Sequence, residues 1–204
     1  MLGSKLFNIK YYPINGVNKE TFCKVLKGLV KIGVLTPVKQ SQYGTPVFLI
    51  PMKEGTVRFT TDYLRIKYQL VRKLYLSPIK VETMLILEGF QYATVLDFNM
   101  RYYTIRLSPA SQDMTTIVTE FGKVIYNCFP MGMCASEYIF QAKVDKLLGD
   151  IKGVKTYIND KFFLSKDCSK NHIEQLRIIS VRLRSEGFKV NAPMCNFFLS
   201  RFFT

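Results

Sequence analysis

Two aspartates stand at the ends of strand-like segments, where they could hold a divalent cation. Asp97 closes the apolar run 92–96, and Asp160 lies in a tight turn between the β-like runs 154–158 and 162–164. A carboxylate at one strand end that faces a second carboxylate on a hairpin tip supplies the oxygen ligands that Mg²⁺ prefers. The pattern predicts a site for Mg²⁺, or for Mn²⁺ in its place, with Asp97 and Asp160 as ligands.

The chemistry that such a site supports is nucleotidyl transfer. This reaction needs metal held by carboxylates and basic groups that steady a triphosphate, and Arg58 on a predicted hairpin could reach a phosphate. Each feature is weak evidence by itself. A strand-ending aspartate is usually a solvated turn residue, the pair Asn159-Asp160 is ordinary turn chemistry, and a single arginine is usually a solvated charge.

The elements that must position these residues are helices and hairpins in irregular alternation. A helix is predicted from an N-cap at Asn18 to a stop at Gly33, followed by a loop at 35–37. Residues 103–107 are expected to continue the sheet that contains 92–97. The remaining predicted helices span 77–89, 136–149 and 169–187, and the remaining strands 46–51, 56–61, 115–119, 124–127, 154–158, 162–164 and 188–190. This order favours an α+β fold with an antiparallel sheet.

The charge balance indicates polyanionic partners. Among 204 residues there are 29 Lys plus Arg against 15 Asp plus Glu, a net charge of +14. Such an excess favours nucleic acid, although ribosomal and membrane-surface proteins share it. The five cysteines show no zinc spacing, which indicates reduced thiols and an intracellular location, cytoplasmic or nuclear. No apolar run approaches the roughly 18 residues of a membrane span, so no membrane partner is expected.

Several motifs occur in an order that a known family shares. They are Tyr43-Gly44-Thr45-Pro46-Val47-Phe48-Leu49-Ile50, Gly55-Thr56-Val57-Arg58-Phe59, Leu96-Asp97-Phe98, Tyr102-Tyr103, Pro130-Met131-Gly132-Met133, Tyr157-Ile158-Asn159-Asp160 and Gly187-Phe188-Lys189-Val190. Over roughly residues 15 to 200 the chain resembles the reverse transcriptases of gypsy-class LTR retrotransposon polyproteins, which are RNA-directed DNA polymerases.

The resemblance implies a polymerase fingers and palm, with an antiparallel palm sheet packed on helices and no thumb. Residues 1–204 would form one reverse transcriptase domain fragment. The fingers would lie mainly in 1–75 and about 105–135, and the palm mainly in 76–104 and 136–204. The implied partners are an RNA or DNA template–primer and a dNTP.

The same resemblance implies roles for individual residues. Asp97 and Asp160 would ligate metal, with Asn159 beside them in the catalytic turn. Tyr102 would pack under the sugar and disfavour a 2′-hydroxyl, and Tyr157 would lie near the primer end. The implied nucleotide contacts come from Arg58, Met131 and Gly132.

Some residues depart from the family pattern. Asn159 replaces the first aspartate of the turn, and its amide oxygen brings no negative charge to the metal site. Arg101 replaces a small residue beside the nucleotide pocket, and Met194 replaces a lysine. We therefore expect polymerase activity to be weak or lost. The alternatives are a catalytically silent nucleic-acid-binding module, a non-functional retroelement remnant, or an unrelated basic α+β module.

Overall fold

The computed structural model of the chain describes residues 6–51, 57–67, 90–99, 101–157, 160–166 and 168–199. The chain divides into two compact units. Unit 1 comprises Met1–Arg72 and Ile105–Ser136, and unit 2 comprises Lys73–Thr104 and Glu137–Thr204. Helices occur with strands that pair antiparallel in both units, which confirms the predicted α+β class. No helix in the described ranges is long and apolar enough to cross a membrane.

The elements are numbered in chain order. The helices are α1 (Gly16–Lys31), α2 (Leu64–Lys67), α3 (Pro109–Gln112), α4 (Cys134–Leu148) and α5 (Ser169–Ser185). The strands are β1 (Leu35–Val38), β2 (Val47–Pro51), β3 (Val57–Thr61), β4 (Tyr92–Leu96), β5 (Phe98–Asn99), β6 (Ile117–Thr119), β7 (Gly122–Tyr126), β8 (Val154–Tyr157), β9 (Asp160–Ser165), β10 (Lys189–Val190) and β11 (Asn196–Leu199). Short 3₁₀ turns cover Arg101–Thr104, Asp113–Thr115 and Ala192–Met194.

Unit 1 contains a three-stranded sheet of order β1-β7-β6 and the separate hairpin β2-β3. Helix α1 buries Phe22, Leu26 and Leu29, whose spacing of four and three residues places them on one helical face. The helix ends where Gly33 adopts φ +74°, a left-handed conformation that glycine reaches without a Cβ penalty. This termination matches the predicted stop.

Unit 2 is organised around a four-stranded sheet of order β11-β4-β9-β8. Strand β4 lies between β11 and β9, and its residues Ala93 and Thr94 are fully buried. Helix α5 lies against this sheet through His172, whose ring stacks on Phe163 of β9 with 4.5 Å between centroids. Ile179 and Leu183 of the same helix are also buried. A second antiparallel pair in unit 2 joins β5, which begins two residues after the end of β4, to β10.

Three local predictions were wrong. The predicted loop at Leu35–Pro37 is strand β1, in which Leu35 pairs with Tyr126 of β7. Proline has no amide hydrogen to donate to a neighbouring strand. It is tolerated at position 37 because β1 lies at the edge of its sheet. Helix α1 begins at Gly16, with Asn15 and not Asn18 as its N-cap.

The third error concerns the predicted continuation of the sheet after Asp97. Arg101–Thr104 forms a 3₁₀ turn, and Arg106 makes an isolated antiparallel bridge with Cys128 in unit 1. In addition, strand β11 was not predicted, although it pairs with β4 through Asn196 and Leu199. The predicted helix at 77–89 lies outside the described residues.

Candidate active site

Strand pairing in unit 2 brings the two predicted metal-ligand positions together. β4 and β9 are antiparallel neighbours, and their register pairs Leu96 with Lys161. One step along the same ladder places Asp97, directly after β4, beside Asp160, the first residue of β9. Residues directly opposite one another in an antiparallel pair have Cα atoms about 4.5–5.5 Å apart. The side chain of Asp160 is outside the described part of the structure, so the relationship is one of backbone position.

The predicted hairpin that carries Asp160 is confirmed by the pairing of β8 with β9. Tyr157 is the last residue of β8 and pairs with Asp160 across the turn. Ile158 and Asn159, the two residues between these strands in the sequence, lie outside the described residues, as does the side chain of Tyr157. Two residues are the shortest usual link between antiparallel strands, so the pairing of Tyr157 with Asp160 agrees with the predicted tight turn.

The described carboxylate, Asp97, is half-buried and held by a segment from the far end of the chain. The side-chain amide of Asn191 donates a hydrogen bond to Asp97 Oδ2 at 3.1 Å. The main-chain N–H of Asn191 also donates to the Asp97 carbonyl oxygen at 2.9 Å. The Asp97 N–H donates to Sγ of Cys195 at 3.3 Å, and the Cys195 thiol is free. Backbone and side chain of Asp97 are therefore both fixed.

Tyr102 lies in the 3₁₀ turn that follows β5 in unit 2. Its half-buried ring meets Phe140 of α4 edge-on, with 5.9 Å between centroids and an interplanar angle of 84°. Phe140 also contacts Phe98, the first residue of β5, and Phe188, which directly precedes β10. The tyrosine ring is thus supported by an aromatic cluster, and this packing is compatible with a role beside a sugar.

The predicted nucleotide-contact residues of unit 1 lie close to one another. Arg58 is an exposed residue of β3, and its Nη2 donates to Sδ of Met131 at 3.6 Å. Gly132 adopts φ +90°, and a Cβ at this position would lie 3.1 Å from both Thr60 Cγ2 and the Thr61 carbonyl oxygen. The Met131-Gly132 turn therefore sits directly against β3. Glycine is required here by its conformation and by the close approach of the strand.

Positive charge in unit 1 is largely uncompensated within the described residues. Its described ion pairs join Lys19 to Glu120 at 2.6 Å and Lys24 to Glu20 at 2.7 Å. Arg58 takes part in neither. An exposed guanidinium without a carboxylate partner is well suited to phosphate, because its planar donors match phosphate oxygens.

The donor types around Asp97 fit magnesium. Magnesium usually takes one or two protein carboxylates and completes its shell with water and substrate phosphates. Of the two carboxylate oxygens of Asp97, only Oδ2 receives a side-chain hydrogen bond from the described residues. No cluster of three or more His, Cys, Asp or Glu that could hold a metal occurs among those residues. Position 160 would add the second carboxylate.

Sequence reasoning missed Asn191 and Cys195 as parts of this site. Both follow the short strand β10, and neither residue type announces a role by spacing. The available signal was a polar residue, Asn191, directly after the predicted strand 188–190. Met194, noted for replacing a lysine, is exposed and lies in the 3₁₀ turn between the two missed residues.

The comparison with protein families decides the assignment. The sequence model of the family described as "Reverse transcriptase (RNA-dependent DNA polymerase)" matches residues 21–202. The chain belongs to the reverse transcriptase family. The predicted family is confirmed, and the fingers-and-palm fold that the resemblance implied is the fold of its structural neighbours.

Relatives of this reverse transcriptase domain are segments of retroelement polyproteins. The chain is 28% identical to the Pro-Pol polyprotein of Simian foamy virus type 1 over 182 residues, which are 89% of the chain and 16% of the relative. It is 24% identical to the Tf2-3 transposon polyprotein of Schizosaccharomyces pombe, over 95% of the chain and 14% of the relative. The chain thus spans about a sixth of the length of these polyproteins, and the predicted retroelement setting is confirmed.

Solved structures of foamy viral protease–reverse transcriptases share the fold of this chain. The crystal structure of the prototype foamy virus protease–reverse transcriptase superposes with a TM-score of 0.86 at 27% identity, covering 94% of this chain and 26% of that one. A foamy viral protease–reverse transcriptase in complex with an RNA/DNA hybrid superposes with a TM-score of 0.85 at 23% identity. The superposed region is 94% of this chain and 26% of the chain in that complex.

Proposed function

We propose that this reverse transcriptase domain binds template–primer duplex and retains a two-aspartate metal site, with nucleotidyl transfer weakened by Asn159. The observation that carries the proposal is the β4–β9 register, which puts positions 97 and 160 side by side. In the same proposal, unit 1 corresponds to the fingers and unit 2 to the palm, with boundaries near residues 73, 105 and 137.

The partner class is supported by charge and by the relatives. A net charge of +14 favours a polyanion, since each neutralised phosphate releases counterions. Foamy viral protease–reverse transcriptases have been solved with double-stranded DNA and with an RNA/DNA hybrid. An RNA or DNA template–primer is therefore the proposed partner, and a dNTP is the proposed substrate. Arg58, Met131 and Gly132 are proposed to contact that dNTP.

The chain's own residues would prepare the reaction. Asp97 and Asp160 would hold one or two Mg²⁺ or Mn²⁺ ions, and Tyr102 would support the sugar of the incoming nucleotide. A divalent ion bound there would stabilise negative charge that develops on the transferred phosphate. Tyr157 would line the primer end beside the hairpin tip.

Asn159 sets the expected level of activity. An amide oxygen can coordinate a cation, but it supplies no charge to balance it. A loss of about 4 kcal/mol in transition-state stabilisation slows a reaction roughly a thousandfold. Substitution of Asn159 by aspartate should restore the third carboxylate and therefore raise the rate.

Primer extension on poly(rA) with oligo(dT) tests this proposal, with Mg²⁺ and then Mn²⁺. The wild-type chain should extend slowly, Asn159→Asp should extend about 10²–10³ times faster, and Asp97→Asn should be inactive in both metals. Robust wild-type synthesis would show that Asn159 does not impair the site. An inactive Asn159→Asp variant that still binds duplex would show that the two-aspartate site is not functional.

A second candidate function is duplex binding without catalysis. The uncompensated charge of unit 1 favours it, because Arg58 has no part in the described ion pairs. Affinity for a primer–template duplex should then fall steeply with salt, by about 10³-fold between 50 and 200 mM if six phosphates are contacted. A flat salt response would reject nucleic-acid binding in both candidates. Steep binding with an inactive Asn159→Asp variant would favour this second one.

A further inference from the structure

We propose that Asn191 is the positioning residue for the Asp97 carboxylate: its amide fixes Oδ2 and leaves the other oxygen available to metal. This inference rests on the proposed metal site, and it adds a residue from a distant part of the chain to that site. Metal-ligating carboxylates are commonly held by outer hydrogen bonds, which restrict their orientation before the ion arrives.

The contacts show that Asn191 is anchored independently of the carboxylate it holds. Its main-chain N–H donates to the Asp97 carbonyl oxygen at 2.9 Å, and its own carbonyl oxygen accepts from the Cys195 thiol at 3.3 Å. The side-chain amide then reaches Asp97 Oδ2 at 3.1 Å. Substitution of the side chain removes only this last bond.

Strand pairing holds the segment on both sides of Asn191. Before it, Val190 of β10 pairs with Phe98, the residue that follows Asp97. After it, Asn196 of β11 pairs with Val95 of β4. The 191–195 segment is thus tied to strand residues on both sides of Asp97, Val95 before it and Phe98 after it. β9, which carries position 160, pairs with the opposite edge of β4, so Asp97 is supported on one side and faces its partner position on the other.

The chemistry of an amide suits this role. A lysine or arginine at position 191 would neutralise the carboxylate and compete with the cation, whereas the neutral amide orients the carboxylate and leaves its full charge. That charge matters more here because Asn159 contributes none. Asn191 touches no reacting atom in this scheme, and it acts through Asp97.

A titration with Mn²⁺ alone tests the inference, and the electron paramagnetic resonance signal of the free ion reports how much is bound. The full chain is compared with Asn191→Leu, which keeps the approximate size of the side chain and removes the donor. We expect affinity for Mn²⁺ to fall about tenfold, the lower end of the range for outer-shell substitutions. Asn191→Gln, which keeps an amide, should bind Mn²⁺ more tightly than Asn191→Leu.

Control variants separate a positioning role from general damage. Asn196→Leu changes an exposed asparagine five positions away on the same segment, and its affinity should equal that of the wild type. If Asn191→Leu does not fold, as judged by circular dichroism, Asn191→Ser replaces it, because serine is too short to reach Asp97.

The outcomes distinguish this inference from the proposed function. Equal Mn²⁺ affinity in wild type and Asn191→Leu, with reduced affinity in Asp97→Asn, would overturn the role of Asn191 and leave the metal site intact. Unchanged affinity in Asp97→Asn would overturn the metal site, and the role of Asn191 with it. Reduced affinity in both, with Asn196→Leu unchanged, supports the positioning role.

Discussion

Nε2 of His172 lies 2.9 Å from Oγ1 of Thr94, and both residues are completely buried. The other ring nitrogen, Nδ1, is 2.8 Å from the hydroxyl of Ser165. The imidazole therefore connects helix α5 to the two central strands β4 and β9. Because one nitrogen of a neutral imidazole accepts while the other donates, two hydroxyl groups can satisfy it without any charge.

The unfolding free energy of the chain should fall as pH drops below about 6.5. Burial holds the pKa of His172 below its ordinary value of 6.5. The unfolded chain therefore takes up the proton at a higher pH than the folded chain does. The contribution of neutral His172 to the unfolding free energy is fully present above the unfolded pKa, and it is lost as pH falls from there through the lower folded pKa. Urea denaturation between pH 5 and 8 measures this slope.

A matched variant isolates the histidine in that experiment. His172 is the single histidine of the chain, so His172→Gln removes the group that titrates in this window. The variant should be less stable at pH 8 but should show a much flatter dependence on pH. If the unfolding free energy of His172→Gln depended on pH as steeply as that of the wild type, another group would be responsible for the pH dependence.

Replacement of Gly132 by alanine should destabilise the chain by about 1–2 kcal/mol, the usual cost of a left-handed conformation for an L-residue. The cause is the φ of +90° together with the close approach to Thr60 and Thr61. Gly28→Ala is the control, since Gly28 lies inside α1 with open space around it. That change should stabilise by about 0.5–1 kcal/mol. Opposite signs in urea denaturation are expected, and equal effects would contradict the role of the Gly132 turn.

Loss of the Arg58 side chain should weaken dNTP binding. The exposed guanidinium takes part in none of the described ion pairs, and a charge-assisted hydrogen bond is worth about 1.5–3 kcal/mol, or at least tenfold in affinity. Titration of a fluorescent dNTP compares Arg58→Ala with Lys27→Ala. Lys27 is an exposed cation of α1, so its removal changes net charge equally. Equal losses in the two variants would indicate a general charge effect only.

Aggregation should decrease in Phe197→Ser. Phe197 lies on β11, an edge strand of the unit 2 sheet as described, and half of its surface is exposed. Exposed apolar side chains on an edge strand favour association with another chain. Light scattering at rising temperature should show a later onset in Phe197→Ser, with a similar melting temperature. Phe163→Ser, in which a buried ring is lost, should instead unfold the chain. An unchanged onset would exclude β11 as the aggregating edge.

The sequence predicted those elements whose local pattern matches their environment. The apolar spacing of Phe22, Leu26 and Leu29 defines one buried face of α1, and Gly33 ends the helix by its own conformational freedom. The β2–β3 and β8–β9 hairpins followed from β-rich runs with short connections. The neighbouring positions of Asp97 and Asp160 were predicted from the family resemblance and from the location of both residues at the ends of strand-like segments.

The remainder depended on tertiary contacts. Pro37 suggested a loop because its tolerance in a strand depends on edge position, which the local sequence does not reveal. Tyr103 and Thr104 resemble strand residues, yet they form a 3₁₀ turn packed near the aromatic cluster around Phe140. Asn191 reaches Asp97 across 94 positions in the chain. No periodicity marks such a contact.

The dependence of Asp97 on Asn191 and Cys195 has a consequence for synthesis on the ribosome. An emerging chain that has released β4, β8 and β9 already contains both aspartates and the hairpin tip. It still lacks the amide and the thiol that hold Asp97, which leave the exit tunnel last among these parts. Because domains generally fold as units, unit 2 should acquire its mature carboxylate geometry only after β11 has been translated.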